Sequence, residues 1–284
     1  MATFYNQATL SYNGNTTTSN ITAGELVEIL TAAKTAVTDT YQSGGRITYI
    51  ISIVNSGTDN FSTLTVTDNL GAYAYNTQTL TPLDYVEGSV KYFINGVLQA
   101  APVITSTSPL TITGISVPAG GNTTLVYETT ANEFAPLESE AAITNTATIT
   151  GQELATPITA VETVNTENSA FLTISKSLTP STVTENGQIT YTFIIQNSGN
   201  TEAEAADNVV LTDTFIPILK NITVTFNGVT WTEGTNYNYS EVTGLFTTIG
   251  GQITVPAATY TRDTATGALI INPGVSTLTV TGTI

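Results

Sequence analysis

Three kinds of side chain in this sequence fall, by strand parity, on faces where aliphatic residues gather: a lysine, an aspartate and an asparagine, each in two copies. Leu172, Ile174, Lys176 and Leu178 alternate onto one face, and so do Leu30, Ala32 and Lys34. Asp68 shares its parity with Leu64 and Val66, and Asp213 with Val209 and Leu211. Asn145 goes with Ala147 and Ile149, and Asn6 with Ala8 and Leu10. Burying Lys and Asp is expensive unless they pair, and desolvation favours their neutral forms. A neutral amine beside a protonated acid and a carboxamide is what a Lys–Asn isopeptide bond requires. The amine attacks the carboxamide carbon, the acid shuttles protons and polarises the carbonyl, and ammonia leaves. Two such bonds are expected, Lys34 to Asn145 with Asp68 as the catalytic acid, and Lys176 to Asn6 with Asp213. A plainer alternative stands beside this one: each Lys reaches the rim of its domain and pairs with the Asp, and the Asn only caps a ladder.

The elements that position these residues are repeated. A separation of 142 residues divides Lys34 from Lys176, Tyr49 from Tyr191 and Gly57 from Gly199. The repeat includes Arg46-Ile47-Thr48-Tyr49 against Gln188-Ile189-Thr190-Tyr191, and Asn55-Ser56-Gly57 against Asn197-Ser198-Gly199. Further on, Leu64-Thr65-Val66-Thr67-Asp68 matches Val209-Val210-Leu211-Thr212-Asp213. The dipeptides Asn95-Gly96 and Asn227-Gly228, each between alternating runs, signal two-residue hairpins. Period-two alternation, as in Ile47, Tyr49, Ile51 and Ile53, dominates throughout. The expected fold is therefore all-β: two tandem antiparallel, immunoglobulin-like β-sandwiches. Residues 25–37 have helical composition, but their repeat partner around Leu172 reads as strand, and the repeat overrules local propensity.

The halves differ at their ends. After Thr124-Leu125-Val126-Tyr127 the first copy runs through a loop into Ile143-Thr144-Asn145-Thr146-Ala147-Thr148-Ile149; after Thr277-Leu278-Thr279-Val280 the second reaches Ile284 without such a strand. The missing pattern stands at the N-terminus, as Asn6-Gln7-Ala8-Thr9-Leu10. The expected division is a donor strand and linker over residues 1–23, a first sandwich over 24–168, and an incomplete second sandwich over 169–284. Phe4, Asn6, Ala8, Leu10 and Tyr12 form the inward side of the donor. Residues 13–23, read as an extended link, reach at most about 37 Å, a marginal length for carrying the strand back past its own first domain that leaves nothing for turning. Residues 4–12 are therefore expected to close the second sandwich of a neighbouring copy, giving a head-to-tail homopolymer.

Composition narrows the alternatives. With no Cys and no His among 284 residues, disulfides, thiolate zinc sites and Ser-His-Asp chemistry have no components. Six basic residues against 22 acidic ones, a net charge of −16 and a pI near 4.1 oppose binding to nucleic acid or to an anionic membrane surface. Charged residues make up only 10% of the chain, against about 25% in ordinary soluble proteins, so its surface is neutral-polar and β-rich. No cofactor or metal is expected, and no enzyme activity beyond the autocatalytic bonds. Acid pairs such as Glu138 with Glu140 lack calcium-loop spacing, and Tyr237-Asn238-Tyr239, a conceivable sugar platform, is equally explained by hairpin packing. The start Met1-Ala2-Thr3-Phe4 has neither a basic nor an apolar run. Export is therefore expected through a leader already removed or through another route, such as release of a spore from its mother cell.

The succession of Lys, Ile-Thr-Tyr, Asn-Ser-Gly, a Thr-Asp strand end and Asn-x-Ala-Thr resembles the bacterial surface repeat called domain of unknown function eleven, of which two copies cover nearly the whole chain. The resemblance implies an extracellular place on a bacterial cell or spore surface, similar modules being found in the fibrous appendages of clostridial spores. Pilin and adhesin domains with isopeptide bonds are similar in residue types and order. Two functional readings follow: a subunit of a self-assembling fibre, and a monomeric adhesin or carbohydrate-binding module with a surface receptor of unknown identity.

Overall fold

The computed structural model describes residues 2–26 and 29–284. Of the helix-like run 25–37, Val27 and Glu28 lie outside the described residues, as does Met1; from Leu30 onward the run is a strand.

The first sandwich begins with β5 (Leu30–Ala36) once the N-terminal strands β1 (Ala2–Asn6), β2 (Thr9–Tyr12), β3 (Asn15–Thr18) and β4 (Thr22–Leu26) are set aside. Then come β6 (Thr40–Tyr41), β7 (Arg46–Asn55), β8 (Phe61–Asp68), β9 (Tyr73–Tyr75), β10 (Gln78–Leu80) and β11 (Leu83–Tyr85). It continues with β12 (Lys91–Ile94), β13 (Val97–Leu98), β14 (Val103–Thr107), β15 (Leu110–Val117) and β16 (Asn122–Ala131), and ends with β17 (Ala142–Thr150) and β18 (Ile158–Thr166). One sheet has the order β13-β12-β16-β7-β5, with β11 also on β16, and the facing sheet β14-β15-β8-β17-β18-β6. Alternation explains the core between them. Ile47, Tyr49, Ile51 and Ile53 of β7 meet Leu64 and Val66 of β8 and Ala147 and Ile149 of β17, all fully buried.

The second half contains β19 (Leu172–Thr179), β20 (Gln188–Asn197), β21 (Thr212–Thr214), β22 (Lys220–Phe226) and β23 (Val229–Trp231). It ends with β24 (Tyr237–Tyr239), β25 (Leu245–Thr248), β26 (Thr259–Arg262), β27 (Leu269–Asn272) and β28 (Gly274–Thr283). The sheet β19-β20-β28-β22-β23 reproduces the order of β5-β7-β16-β12-β13. The facing sheet does not match its counterpart, being reduced to β21-β25-β24. In the first sandwich β8 is paired on both sides, by β15 and by β17. Its counterpart β21 is paired by β25, and its other edge has no strand among the described residues. The second core, around Tyr191, Phe193, Phe215 and Phe246, is separate from the first.

The N-terminal strands differ from the extended link expected over residues 13–23. Residues 15–18 and 22–26 fold back as β3 and β4, pairing with β2 and β1 to make one long hairpin. Its tip is Asn13-Gly14, with φ of 44° and 78°, the backbone of a type I′ turn. The same signal produced turns at Asn95-Gly96 and Asn227-Gly228, so the hairpin was legible in the sequence. Residues 3–23 are all exposed.

Two further features fix the arrangement. The hairpin joins the first sandwich at Leu30, which pairs with Asn55 at one end of β7. The second sandwich joins near Tyr41, whose carbonyl accepts the Glu167 N–H, close to the other end. Ten residues of β7 separate those poles, about 33 Å of strand. The β26–β27 hairpin also braces the first sandwich, with the Arg262 guanidinium 5.5 and 5.7 Å from the rings of Tyr73 and Tyr75 and the Leu269 N–H on the Glu133 carbonyl.

The repeated Asn-Ser-Gly has a structural cause. Buried Asn55 gives its Nδ2 to the carbonyls of Asp59 and Pro118 and accepts from the Gly57 N–H. Asn197 gives to Thr201 O and accepts from the Phe171 and Gly199 N–H groups. Replacing Asn55 by Ala leaves these buried groups unpaired and is expected to cost about 1–3 kcal/mol, read as a lower urea midpoint with unchanged slope.

Candidate functional site

In the first sandwich β5, β8 and β17 bring Lys34, Asp68 and Asn145 into one buried place. Lys34 Nζ lies 2.5 Å from Asp68 Oδ2, both side chains being shut off from solvent. The same oxygen accepts the Tyr127 hydroxyl at 2.5 Å, while Oδ1 accepts the Leu70 N–H at 2.9 Å. The ammonium sits 4.6 Å from the centre of the Tyr49 ring, which stacks on Tyr127. Asn145 Oδ1 accepts the Gly71 N–H at 3.2 Å. Its Nδ2 and the Tyr49 hydroxyl are buried with no hydrogen-bond partner, an arrangement that ordinarily costs about 1–3 kcal/mol per group.

Burial pulls the Lys34 amine down to about 8, against the smaller opposing attraction of Asp68 and then of Glu162. Roughly one amine in ten is then neutral at pH 7, against fewer than one in a thousand for an exposed lysine. Burial pushes the Tyr127 hydroxyl well up, with Asp68 adding to it, so it remains a donor. The chemistry this arrangement permits is attack of the amine on the Asn145 carbonyl carbon. The Gly71 N–H meets the oxygen where negative charge would develop, and Asp68 is hydrogen-bonded to the amine. Gly71, Tyr49 and Tyr127 had not been assigned to the site from the sequence. Tyr127 was hidden by the repeat itself, because its counterpart is Val280.

The second sandwich assembles only part of the set. Lys176 contacts Asp213 and lies over the rings of Tyr191, Phe193 and Phe215, at 4.4, 5.4 and 5.4 Å. The Lys176 side chain is 39% exposed, where that of Lys34 is 0%. Asn6 is not brought to it within one chain: it is exposed on the N-terminal hairpin, opposite Thr22. The other residues of the inward donor face, Phe4, Ala8, Leu10 and Tyr12, are likewise exposed. Beside Lys176 an apolar groove runs between β19 and the segment leading into β21, lined by Leu172, Ile174, Ile195, Val209, Leu211 and Ile253. Of the other candidates, Tyr237 is buried against Phe246, and Tyr239 donates its hydroxyl to the Leu219 carbonyl, so their sequence forms no open platform. No helix among the described residues is long and apolar enough to cross a membrane.

No protein-family model and no curated protein matches the chain. Among solved structures it is similar to a 35 kDa C-terminal fragment of the major pilin GBS80 of Streptococcus agalactiae, with 13% identity, a TM-score of 0.37, and coverage of 87% of this chain and 91% of that one. It is also similar to the pilus backbone RrgB of Streptococcus pneumoniae, with 14% identity, a TM-score of 0.35, and coverage of 86% and 55%. The collagen adhesin of S. aureus gives 12% identity, a TM-score of 0.31, and coverage of 55% of each chain. The chain thus spans about half the length of the last two structures.

In chains whose Lys34 amine is free, urea stability is expected to rise with pH between about 8 and 10.5. In that window unfolding takes up a proton, whereas below it the amine is charged in both states and above it neutral in both. Lys34→Met abolishes this rise. Chains in which the bond has formed also lack it, and intact mass shows them lighter by one ammonia.

Proposed function

We propose that this chain is the structural subunit of an extracellular bacterial fibre, a pilus-like filament or spore appendage built from repeats of the domain-of-unknown-function-eleven kind. Subunits join head to tail, the N-terminal strand of one copy entering the second sandwich of the next. The observation that carries this reading is the unpaired edge of β21, next to a half-exposed Lys176, in a chain that holds a spare copy of the strand that fills the same edge in the first sandwich.

Transfer of the register gives the contact in detail. Asp68 stands opposite Ala147, and Val66 opposite Ile149; in the fibre Asp213 stands opposite Ala8 and Leu211 opposite Leu10. Asn6 then occupies the place of Asn145, beside Lys176. The poles identified above favour a second copy over self-closure, because the hairpin leaves the first sandwich at the end away from the second one. Donor and acceptor are different surfaces, so the contact repeats without closing.

Covalent welding follows from the same placement. In each site the Lys amine adds to the Asn carbonyl carbon, and the aspartic acid protonates the carbonyl oxygen. The carboxylate so formed takes the amine proton and passes it to the departing nitrogen, then recovers the oxygen's proton as the carbonyl re-forms, so that one amide is exchanged for another and one ammonia is released. Lys34 with Asn145 locks a subunit; Lys176 with Asn6 of the next copy locks the chain of subunits. Aromatic rings hold the amine in both sites, and around Lys34 the packing also excludes water.

Deleting residues 2–12 is expected to abolish filaments in electron micrographs and to leave a monomer in sedimentation, with the first sandwich folded. A deleted chain that still polymerises, or a wild-type chain that stays monomeric at high concentration, would falsify the fibre and favour the adhesin. Asn6→Ala is expected to give filaments that boiling detergent disperses, where wild-type filaments survive as a ladder.

A further inference from the structure

We infer that the element passed between subunits is the whole β1–β4 hairpin, so that its returning strands β3 and β4 lie over β19 of the neighbouring copy and seal the Lys176 site. This rests on the proposed donation and extends it from one strand to two.

The first sandwich shows what closes such a site. β17 is hydrogen-bonded to β8, but β18, the returning arm of its hairpin, is what packs over β5. Glu162 of β18 is near enough for its charge to act on Lys34. Glu153, Leu154, Ile158 and Thr159, from the loop and start of that arm, line a pocket together with Leu30 and Ala32 of β5. β19 is the counterpart of β5 and has no such cover. Ile174 and Leu178, on the Lys176 face, are 58% and 43% exposed, whereas their counterparts Ala32 and Ala36 are partly buried against the first core. A single strand in the place of β17 would pair the edge of β21 and leave the face of β19 in water.

The N-terminus has the form needed to supply both arms. β17 and β18 lead into β19, and β1 to β4 lead into β5. Asn145 pairs with Glu162, and Asn6 pairs with Thr22. The hairpin is held by its own packing: the Phe4 ring lies across Gly24, where a Cβ would be 2.4 Å from its Cζ. Its surface is that of a buried element. Phe4, Tyr5, Leu10, Tyr12 and Ile21 are 57–71% exposed, and residues 2–24 contain no charged side chain in a chain of net charge −16. Covering β19 with residues 2–24 therefore desolvates no carboxylate of the hairpin, whose one acidic residue, Glu25, stands at its base opposite Thr3. Thr22 takes the place of Glu162, so the hairpin adds no carboxylate at that position and Lys176 would be enclosed with its ion-pair partner Asp213.

The test uses full-length chains, which are free of native cysteine. Thr148 stands opposite Thr67; donation therefore places Thr9 opposite Thr212 of the next copy, and Thr9→Cys combined with Thr212→Cys is expected to oxidise to a ladder of interchain disulfides. In separate filaments, the thiols of Ile174→Cys and Leu178→Cys are expected to react with a maleimide roughly tenfold or more slowly than that of Val242→Cys, a position 85% exposed on a turn. A disulfide ladder together with thiols at 174 and 178 that react as fast as at 242 overturns the hairpin and leaves single-strand donation standing. Absence of the ladder overturns donation in this register. Should Ile174→Cys and Leu178→Cys both block filaments that Val242→Cys still forms, the hairpin is supported, because a face left in water tolerates a thiol.

Discussion

A β-sandwich has two demands that a single chain must meet at once: every strand edge facing the interior needs a hydrogen-bonding partner, and both inner faces need cover. The first sandwich meets both with one hairpin, β17 pairing β8 and β18 lying over β5. The second meets neither at the same place. β21 is only three residues long, where β8 has eight, and the residues leading into it run outside any ladder. Ile174 and Leu178 hold apolar surface in water, and because each is about half exposed its full burial would stabilise by about 1 kcal/mol. In the proposed fibre, the geometry of assembly and its polarity would both descend from that one uncovered seam.

The buried lysine obeys the opposite constraint. An ammonium and a carboxylate inside a hydrophobic core cost more in lost hydration than their attraction returns, unless hydrogen bonds and rings complete the site. Around Lys34 that completion is nearly full: Asp68, Tyr127, the Tyr49 face and the Leu70 N–H. What remains unsatisfied is the Tyr49 hydroxyl and the Asn145 amide nitrogen, the latter being the group that the proposed bond would release as ammonia. The reaction would thus remove the charged amine and the orphaned donor in one step, so the cost of burial itself favours the bond. At Lys176, half exposed, that driving force is absent until cover arrives. In the proposed fibre this would tie formation of the intermolecular bond to docking and keep free chains from reacting prematurely.

Force applied along such a filament would pass through both sandwiches in series. The link between them is short, and the β26–β27 hairpin braces the first sandwich through Arg262 between Tyr73 and Tyr75. The hairpin leaves at one pole of β7 and the second sandwich at the other, so the two joints of a subunit lie at opposite ends. A head-to-tail contact between such ends has nothing to close it into a ring of few members.

Much of this is a consequence of local rules, and those are legible in the chain. Alternation in residues such as Ile47 to Ile53 specifies strands with one face inward, and a repeat of constant spacing specifies two similar sandwiches, because side-chain direction in a strand depends only on parity. Asn-Gly between two alternating runs dictates a tight hairpin at Asn13-Gly14, Asn95-Gly96 and Asn227-Gly228, whereas Asn186-Gly187 ends the longer connection from β19 to β20. Parity also puts Lys34, Asp68 and Asn145 on inward faces, but parity says nothing about depth. That the first lysine is sealed while the second is half open, that Tyr127 rather than the repeat-matched Tyr49 holds Asp68, and that the Gly71 N–H meets the carboxamide, were decided by tertiary packing. They depend on which strands of the two sheets come to lie opposite one another, and those contacts join residues far apart in the chain that no local pattern connects.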